Sequence, residues 1–357
     1  MLTTITRPLI RRATSFLDRR FDMRQFNVAI LDDYQRVAKS MADWSRLPEG
    51  TSVTAYHEHF SDTDALVSAL RDKQAVVIMR ERTRFDASIF KLLPSLELLV
   101  TSGPKNEAID LKAAEEHGVV VSGTRSLKEP PAELTVGLML ALARSLPRES
   151  LAFATGGPWQ STMGISLHGK TIGLIGLGHI GAIVARVANA LGMRTLAWSQ
   201  NLTAERAAEC GVTLASSKQE LLTTSDVVSV HVRLSDRTRN LLDEKAFELM
   251  KSTALLINTS RAEIVDQGAL VHALNSGRIA GAAADVFEEE PLPLDHPLRT
   301  AKNFIGTPHL GYVTDENYRG YFSGAVEDIA AYLVGKPIRE LYPSKKGDKL
   351  EPEVGNS

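Results

Sequence analysis

The chain has 357 residues, 43% of them hydrophobic and 24% charged, with a formal net charge of −2. These are globular proportions in a chain long enough for two domains, and so even a charge balance supplies no general pull toward nucleic acid or an anionic membrane. A single cysteine, Cys210, excludes an internal disulfide and a cysteine-rich metal site and fits a reducing, cytoplasmic compartment; no apolar run reaches the length of a membrane span, and no bound metal is expected.

Residues 1–22 carry Arg7, Arg11, Arg12, Arg19 and Arg20, and no acid before Asp18. That composition faintly suggests a mitochondrial presequence. The plainer reading is an unstructured extension, since Met23 stands three residues before the first predicted strand. From Phe26 the pattern alternates. Apolar runs at 27–31, 52–56, 75–79, 96–100 and 119–122 read as strands, with helical stretches such as 63–71 and 110–117 between them. Strands alternating with helices imply a parallel sheet. The stretch 133–144 is apolar nearly all round, which predicts a buried helix bridging two domains.

A second alternating set begins at Thr171, with strands predicted at 171–175, 194–198, 226–232, 254–258, 280–286 and 303–306. This is the rhythm of a complete doubly wound domain. A last helix is predicted over 315–334, closed by Gly335 and Pro337, and expected to pack back on the first domain. Residues 344–357 are polar and expected to be disordered.

The densest signal lies at the start of the second set. An apolar strand runs into Gly176-Leu177-Gly178-His179-Ile180-Gly181, and a helical pattern follows to about Leu191. Gly176 permits the tight turn, Gly178 lets the backbone approach a pyrophosphate, and Gly181 lets helix and strand pack closely. The pyrophosphate would sit on the free N–H groups at the helix N-terminus. In nicotinamide-binding folds an acid at the end of the next strand commonly holds the adenosine ribose. Here that position reads Ser199-Gln200-Asn201. The missing carboxylate removes a barrier to a 2′-phosphate, yet no arginine is adjacent and Arg206 is a helical turn away. NAD and NADP are both permitted, with NADP mildly favoured.

Three later segments place polar residues at the C-terminal ends of strands: Asn258-Thr259-Ser260-Arg261, Asp285 to Glu290-Pro291, and Thr307-Pro308-His309. Taken singly, Arg261 could be a surface ion pair, Glu290 part of a solvated acidic run with Glu288 and Glu289, and His309 a satisfied loop histidine.

Together with Ala132-Glu133-Leu134-Thr135, Gly157-Pro158-Trp159, Gly169-Lys170-Thr171, His296-Pro297-Leu298 and Asp328-Ile329-Ala330, these segments make the chain resemble the D-isomer-specific 2-hydroxyacid dehydrogenases from about Phe26 to Pro337. The resemblance implies an α/β fold in which a Rossmann, doubly wound dinucleotide-binding domain (128–309) is inserted in a flavodoxin-like α/β substrate domain (23–127 and 310–343). It implies a homodimer formed through the cofactor domains, and hydride transfer between NAD(P)H and a small 2-oxo or 2-hydroxy acid. Arg261 matches the residue that grips the substrate carboxylate, His309 the acid/base, and Glu290 the carboxylate that orients the histidine and favours its charged form. Asp285 matches a residue near the nicotinamide carboxamide. The implied cofactor-binding set is Gly176, Gly178, His179, Ile180, Gly181, Ser199, Thr259 and Asp285; the implied substrate-binding set is Gly103, Lys105, Arg261 and His309.

The chain departs from the family pattern at Ser199, at Ala262 (glycine is usual), at Arg233 (proline is usual), and at Lys105, which either meets an acidic substrate or points to solvent. A glyoxylate or hydroxypyruvate reductase is the favoured expectation. Phosphoglycerate oxidation is the alternative, disfavoured because the sequence stops soon after the returning helix, without room for a C-terminal regulatory domain. A nucleotide-sensing, corepressor-like binding protein is the alternative from another class.

Overall fold

A computed structural model describes residues 25–343; the expected extension 1–22 and tail 344–357 lie outside the described residues. The described residues divide into two compact units, one of residues 25–126 and 315–343, the other of residues 127–314.

The first unit is built on five parallel strands, β1 Phe26–Ile30, β2 Thr51–Ala55, β3 Ala75–Ile78, β4 Leu98–Thr101 and β5 Val120–Gly123, in the order β2-β1-β3-β4-β5. This is the flavodoxin-like order. β3 (AVVI) and β4 (LLVT) are buried throughout. Burial of both faces explains why they read as apolar runs rather than alternating strands. The helices Thr63–Leu70, Ala87–Leu92 and Leu111–Glu116 all begin after an aspartate, and Asp62, Asp86 and Asp110 each accept a backbone N–H of the first turn. Such caps satisfy donors that have no partner inside the helix. The helix Asp315–Leu333 belongs to this unit and buries Tyr321, Phe322, Val326 and Ile329.

The second unit has seven parallel strands: β6 Thr171–Ile175, β7 Arg194–Trp198, β8 Thr213–Leu214, β9 Val227–Val230, β10 Leu255–Asn258, β11 Gly281–Ala284 and β12 Phe304–Gly306. Their order is β12-β11-β10-β9-β6-β7-β8. Counted from β6 this is 3-2-1-4-5-6 with a seventh strand added, the Rossmann arrangement. The strand order reverses between β6 and β9, and ligands bind in the crevice outside the strand ends at that reversal. The edge strand β8 was not expected; it has two residues, both exposed, and so carries no apolar period.

Two expectations change. The helix read over 133–144 spans Pro130–Ala143, starting a turn earlier with prolines at its first positions, where their missing N–H costs nothing. It packs within the second unit, burying Leu138, Met139 and Leu142 while Leu140 stays exposed. The units also divide at 126/127 and 314/315, not at 127/128 and 309/310. The second shift has a physical cause: the N–H groups of Leu310 and Gly311 are tied to Asp285 of the second unit.

Candidate active site

The glycine turn sits where β6 ends and the helix His179–Ala190 begins. Gly176 has φ +100°, and a Cβ there would lie 2.7 Å from the carbonyl oxygen of His231. A Cβ on Gly181 would lie 2.5 Å from the carbonyl oxygen of Gly176. Both positions are closed to any side chain. Gly178 differs: a Cβ there would meet nothing within 4 Å, and the residue is exposed. Two of the three glycines therefore allow the turn, and the third leaves space over the helix N-terminus. A dinucleotide diphosphate fits that space, with helix N–H groups aimed at it. His179 is the first helical residue and stands 3.4 Å from Glu129. Ile180 is partly buried against the core beneath.

Ser199 lies half-buried just past β7, its carbonyl accepting the N–H of Leu202 in a turn. Arg206 reaches farther than its sequence spacing suggested, since its Nε donates to the carbonyl oxygen of Leu177 at 3.4 Å. Thr259, at the end of β10, shares a 2.6 Å hydrogen bond with the hydroxyl of Thr135. That contact ties the strand end to the buried helix.

Arg261 is presented by a turn that Asn258 shapes. The Asn258 side chain accepts the N–H of Ser260 at 3.1 Å and donates to the carbonyl oxygen of Arg261 at 3.0 Å. Ser260 in turn donates to the carbonyl oxygen of Val232 at 2.6 Å. Asn258 was not expected to act at the site, although asparagine two residues before a turn N–H is the usual signal for such a role. Ala262 is buried at 3% exposure and opens the short helix after the turn.

Of the three consecutive acids only Glu290 turns inward; Glu288 and Glu289 are exposed. Glu290 Oε1 accepts the N–H of Phe287 at 2.9 Å, and Oε2 lies 2.7 Å from His309 Nδ1. Burial alone would raise the Glu290 carboxyl. The His309 hydrogen bond and charge, the Phe287 N–H and the Arg261 charge outweigh it and hold the group below the usual carboxylate range. His309 itself sits at φ +53°, a left-handed backbone conformation uncommon for a side chain of this size. Its ring packs edge-on against Tyr312 at 5.4 Å.

Asp285 explains how that backbone is held. It is 1% exposed, and its carboxylate accepts from the hydroxyl of Thr307 (2.6 Å) and the N–H groups of Leu310 (2.7 Å) and Gly311 (2.8 Å). Its oxygens hold the loop that carries His309. Burial raises its carboxyl above the ordinary value, against those three donors and the His309 charge.

In the first unit, Gly103 follows β4 with φ +90°, its N–H donating to Thr124 Oγ1 at 2.9 Å. A Cβ there would collide with the guanidinium of Arg80. Arg80, not singled out in the sequence, thus lies against the loop that includes Gly103. Lys105 is exposed. Among the described residues no cluster of histidine, cysteine and acid suits a metal ion, and no helix is long and apolar enough to cross a membrane.

Residues 136–311 match the family model described as D-isomer specific 2-hydroxyacid dehydrogenase, NAD binding domain. The chain is 38% identical over 283 residues to a glyoxylate reductase of Aeropyrum pernix, covering 76% of this chain and 84% of that one. It is 35% identical over 297 residues to a D-3-phosphoglycerate dehydrogenase of Methanocaldococcus jannaschii, of whose length it spans 56%. A crystal structure of phosphoglycerate oxidoreductase from Vibrio cholerae superposes with a TM-score of 0.83 at 35% identity, covering 87% of this chain and 99% of that one. The chain belongs to the D-isomer-specific 2-hydroxyacid dehydrogenase family.

Proposed function

We propose that this protein is an NAD(P)-dependent D-2-hydroxyacid dehydrogenase that reduces a small 2-oxo acid of the glyoxylate or hydroxypyruvate type. The observation that carries the reading is the 2.7 Å pairing of Glu290 with His309 Nδ1, with the Arg261 charge acting on the same carboxylate. Glu290 fixes the ring so that Nε2 is the nitrogen available to the substrate. In reduction His309 gives its proton to the carbonyl oxygen; in oxidation it takes one back. Arg261 offers a planar fork that meets the substrate carboxylate bidentately. When bound, the nicotinamide supplies or accepts the hydride. The diphosphate would lie over Gly178 at the helix N-terminus, in the turn that Gly176 and Gly181 allow, and Ser199 would meet the adenosine ribose.

The test follows NADH and NADPH oxidation at 340 nm against glyoxylate, hydroxypyruvate, 3-phosphohydroxypyruvate and pyruvate. Turnover of the first two at the highest kcat/KM supports the reading. A second reading is phosphoglycerate oxidation, the activity named for the Methanocaldococcus jannaschii relative. It takes precedence if 3-phosphohydroxypyruvate is the best substrate. Dinucleotide binding without turnover of any 2-oxo acid would favour a nucleotide-sensing protein instead.

The protein is further proposed to work as a homodimer through its second unit. Leu151, Phe153, Trp159 and Met163 of that unit are 64–95% exposed, an apolar surface of the kind that marks an interface. Light scattering at micromolar concentration should give twice the chain mass; a monomer there would rule the dimer out.

A further inference from the structure

Three neighbouring strands of the first unit leave the sheet through left-handed backbone. Asp32 has φ +56°, Arg80 φ +52° and Gly103 φ +90°, and each stands two residues past the end of its strand, β1, β3 and β4 respectively. The sheet order reverses between β1 and β3, and ligands meet an open sheet in the crevice at such a reversal. Gly103 takes its conformation freely, whereas Asp32 and Arg80 need contacts to hold theirs. Backbone held in this way gathers at working sites.

The contacts converge on Asp32, which is buried. Its Oδ2 accepts the hydroxyl of Thr83, also buried, at 2.7 Å across 51 positions of sequence. Its carbonyl oxygen accepts Nη1 of Arg82 at 2.9 Å, and that guanidinium lies 4.4 Å from the centre of the Tyr34 ring. Its Oδ1 lies 3.1 Å from Nδ1 of His59, on the segment after β2. The hydrogen bond to Asp32 raises the His59 imidazole above its ordinary value against burial, so the buried carboxylate has a cation beside it. Asp33 is buried too, but it accepts the N–H groups of Val37 and Ala38 and caps only its own turn. Asp32 instead ties the exit of β1 to the segment 80–83 beyond β3. That segment is tied onward to the loop of Gly103, in the implied substrate-binding set. The N–H of Arg80 donates to Ser102 Oγ at 2.7 Å, its carbonyl oxygen accepts Asn106 Nδ2 at 2.6 Å, and its guanidinium lies against Gly103.

We infer that Asp32 is a positioning residue for the substrate: through Thr83 and Arg82 it sets the segment 80–83, and through Arg80 the loop of Gly103. This rests on the proposed 2-oxo acid reductase. Initial rates should be measured with the one of glyoxylate, hydroxypyruvate, 3-phosphohydroxypyruvate and pyruvate that wild type turns over best, alongside titration of NAD(P)H and thermal melting. Thr83→Val keeps the shape and removes the hydroxyl. It should raise KM for the oxo acid by about 3- to 10-fold, equivalent to one hydrogen bond, with kcat within about twofold and nucleotide affinity unchanged. Thr83→Ser keeps the hydroxyl and should keep the wild-type KM. Asp32→Gly suits the left-handed backbone and removes the carboxylate, so it should raise KM at least as much. Adding Thr83→Val to Asp32→Gly should change nothing more, because the contact is already gone. An unchanged oxo-acid KM in Thr83→Val, or a rise that Thr83→Ser shares, would overturn the inference. So would additive effects in the double variant. Equal losses of oxo-acid and nucleotide affinity with a lower melting temperature would also overturn it, by making the bond a prop of the fold alone. A wild type that turns over none of the four acids would sink the proposed function, and this inference with it.

Discussion

The carboxylate of Asp285 accepts the N–H of Gly311 at 2.8 Å, two residues beyond the histidine whose ring Glu290 holds. His309 is thus fixed twice: its ring by Glu290, and its left-handed backbone by Asp285 through the residues that follow it. A strained backbone persists only where its surroundings over-determine it. Asp285→Asn keeps the volume but replaces an acceptor with a donor opposite backbone N–H groups. Leaving such a buried donor unsatisfied costs about 1–3 kcal/mol. The melting temperature should fall by roughly 2–4 °C for each kcal/mol lost. Turnover should fall further than substrate affinity, because the loop would release the histidine. Wild-type kcat and melting temperature in this variant would show that Asp285 does not buttress the loop.

The Glu290–His309 pair is expected to govern pH dependence. The Glu290 carboxyl is held below its ordinary value by His309, the Phe287 N–H and Arg261 against the opposing effect of burial. A folded value below the unfolded one means that the stabilisation is present above the unfolded value and is lost as pH falls through the folded one. The pair should therefore survive mild acid and break only below the usual carboxylate range. Glu290→Gln keeps the shape without the charge. It should reduce kcat while removing that acid-side loss. His309→Ala should reduce kcat more, by about 10² to 10⁴-fold, with nucleotide affinity unchanged. Normal turnover by the alanine variant would mean that another group serves as the acid.

Arg261 and Asn258 form one device, a guanidinium and the turn that aims it. Arg261→Lys should raise the Michaelis constant for the oxo acid by about 10- to 100-fold, since an ammonium cannot reproduce the fork. Asn258→Ala should do the same more weakly, because it loosens the turn and leaves the cation in place. Nucleotide affinity should change in neither. An oxo-acid constant that stays at the wild-type value in Arg261→Lys would exclude contact with the substrate carboxylate.

Much of this arrangement is legible in the residues because its signals are local. The glycine turn and the apolar strands act over a few residues, and their spacing carries the physics. Arg261 and His309 also stand just past strand ends, where the sheet's polarity puts ligands. What stays hidden depends on contacts distant in sequence. Nothing in the run Glu288-Glu289-Glu290 says which acid turns inward until Phe287 and His309 supply the partners. The role of Asp285 needs the loop 307–311 folded back upon it. Arg206 reads as an ordinary helix residue until its side chain is seen on Leu177, 29 positions earlier. β8 is two exposed residues and has no pattern to find.

The last prediction concerns the first unit, where Asp328 is 0% exposed in the helix Asp315–Leu333. Arg339 holds it: Nε donates to Oδ1 at 2.9 Å, while Oδ2 has no hydrogen-bond partner among the described residues. Arg339 also donates to the carbonyl oxygen of Gly324 and to Glu327, pinning the segment whose Glu340 bridges to Ser122 of β5. Burial pushes the Asp328 carboxyl up to about 7, against the pull of Arg339 and with a small push from Glu327. A folded value above the unfolded one means that the folded state binds the extra proton. Stability should therefore fall as pH rises from the unfolded value through about 7, and level off beyond. Hydrogen exchange of the amides of 315–341, corrected for intrinsic rates, should show protection lost between about pH 5 and pH 8. Asp328→Asn should flatten that dependence, because nothing at the position titrates. Arg339→Met should behave differently, costing about 3–5 kcal/mol by leaving a buried acid without its cation, and most of all at high pH where that acid is charged. Parallel pH profiles for wild type and Asp328→Asn would show that Asp328 does not titrate in this range, and that Arg339 keeps it ionised throughout.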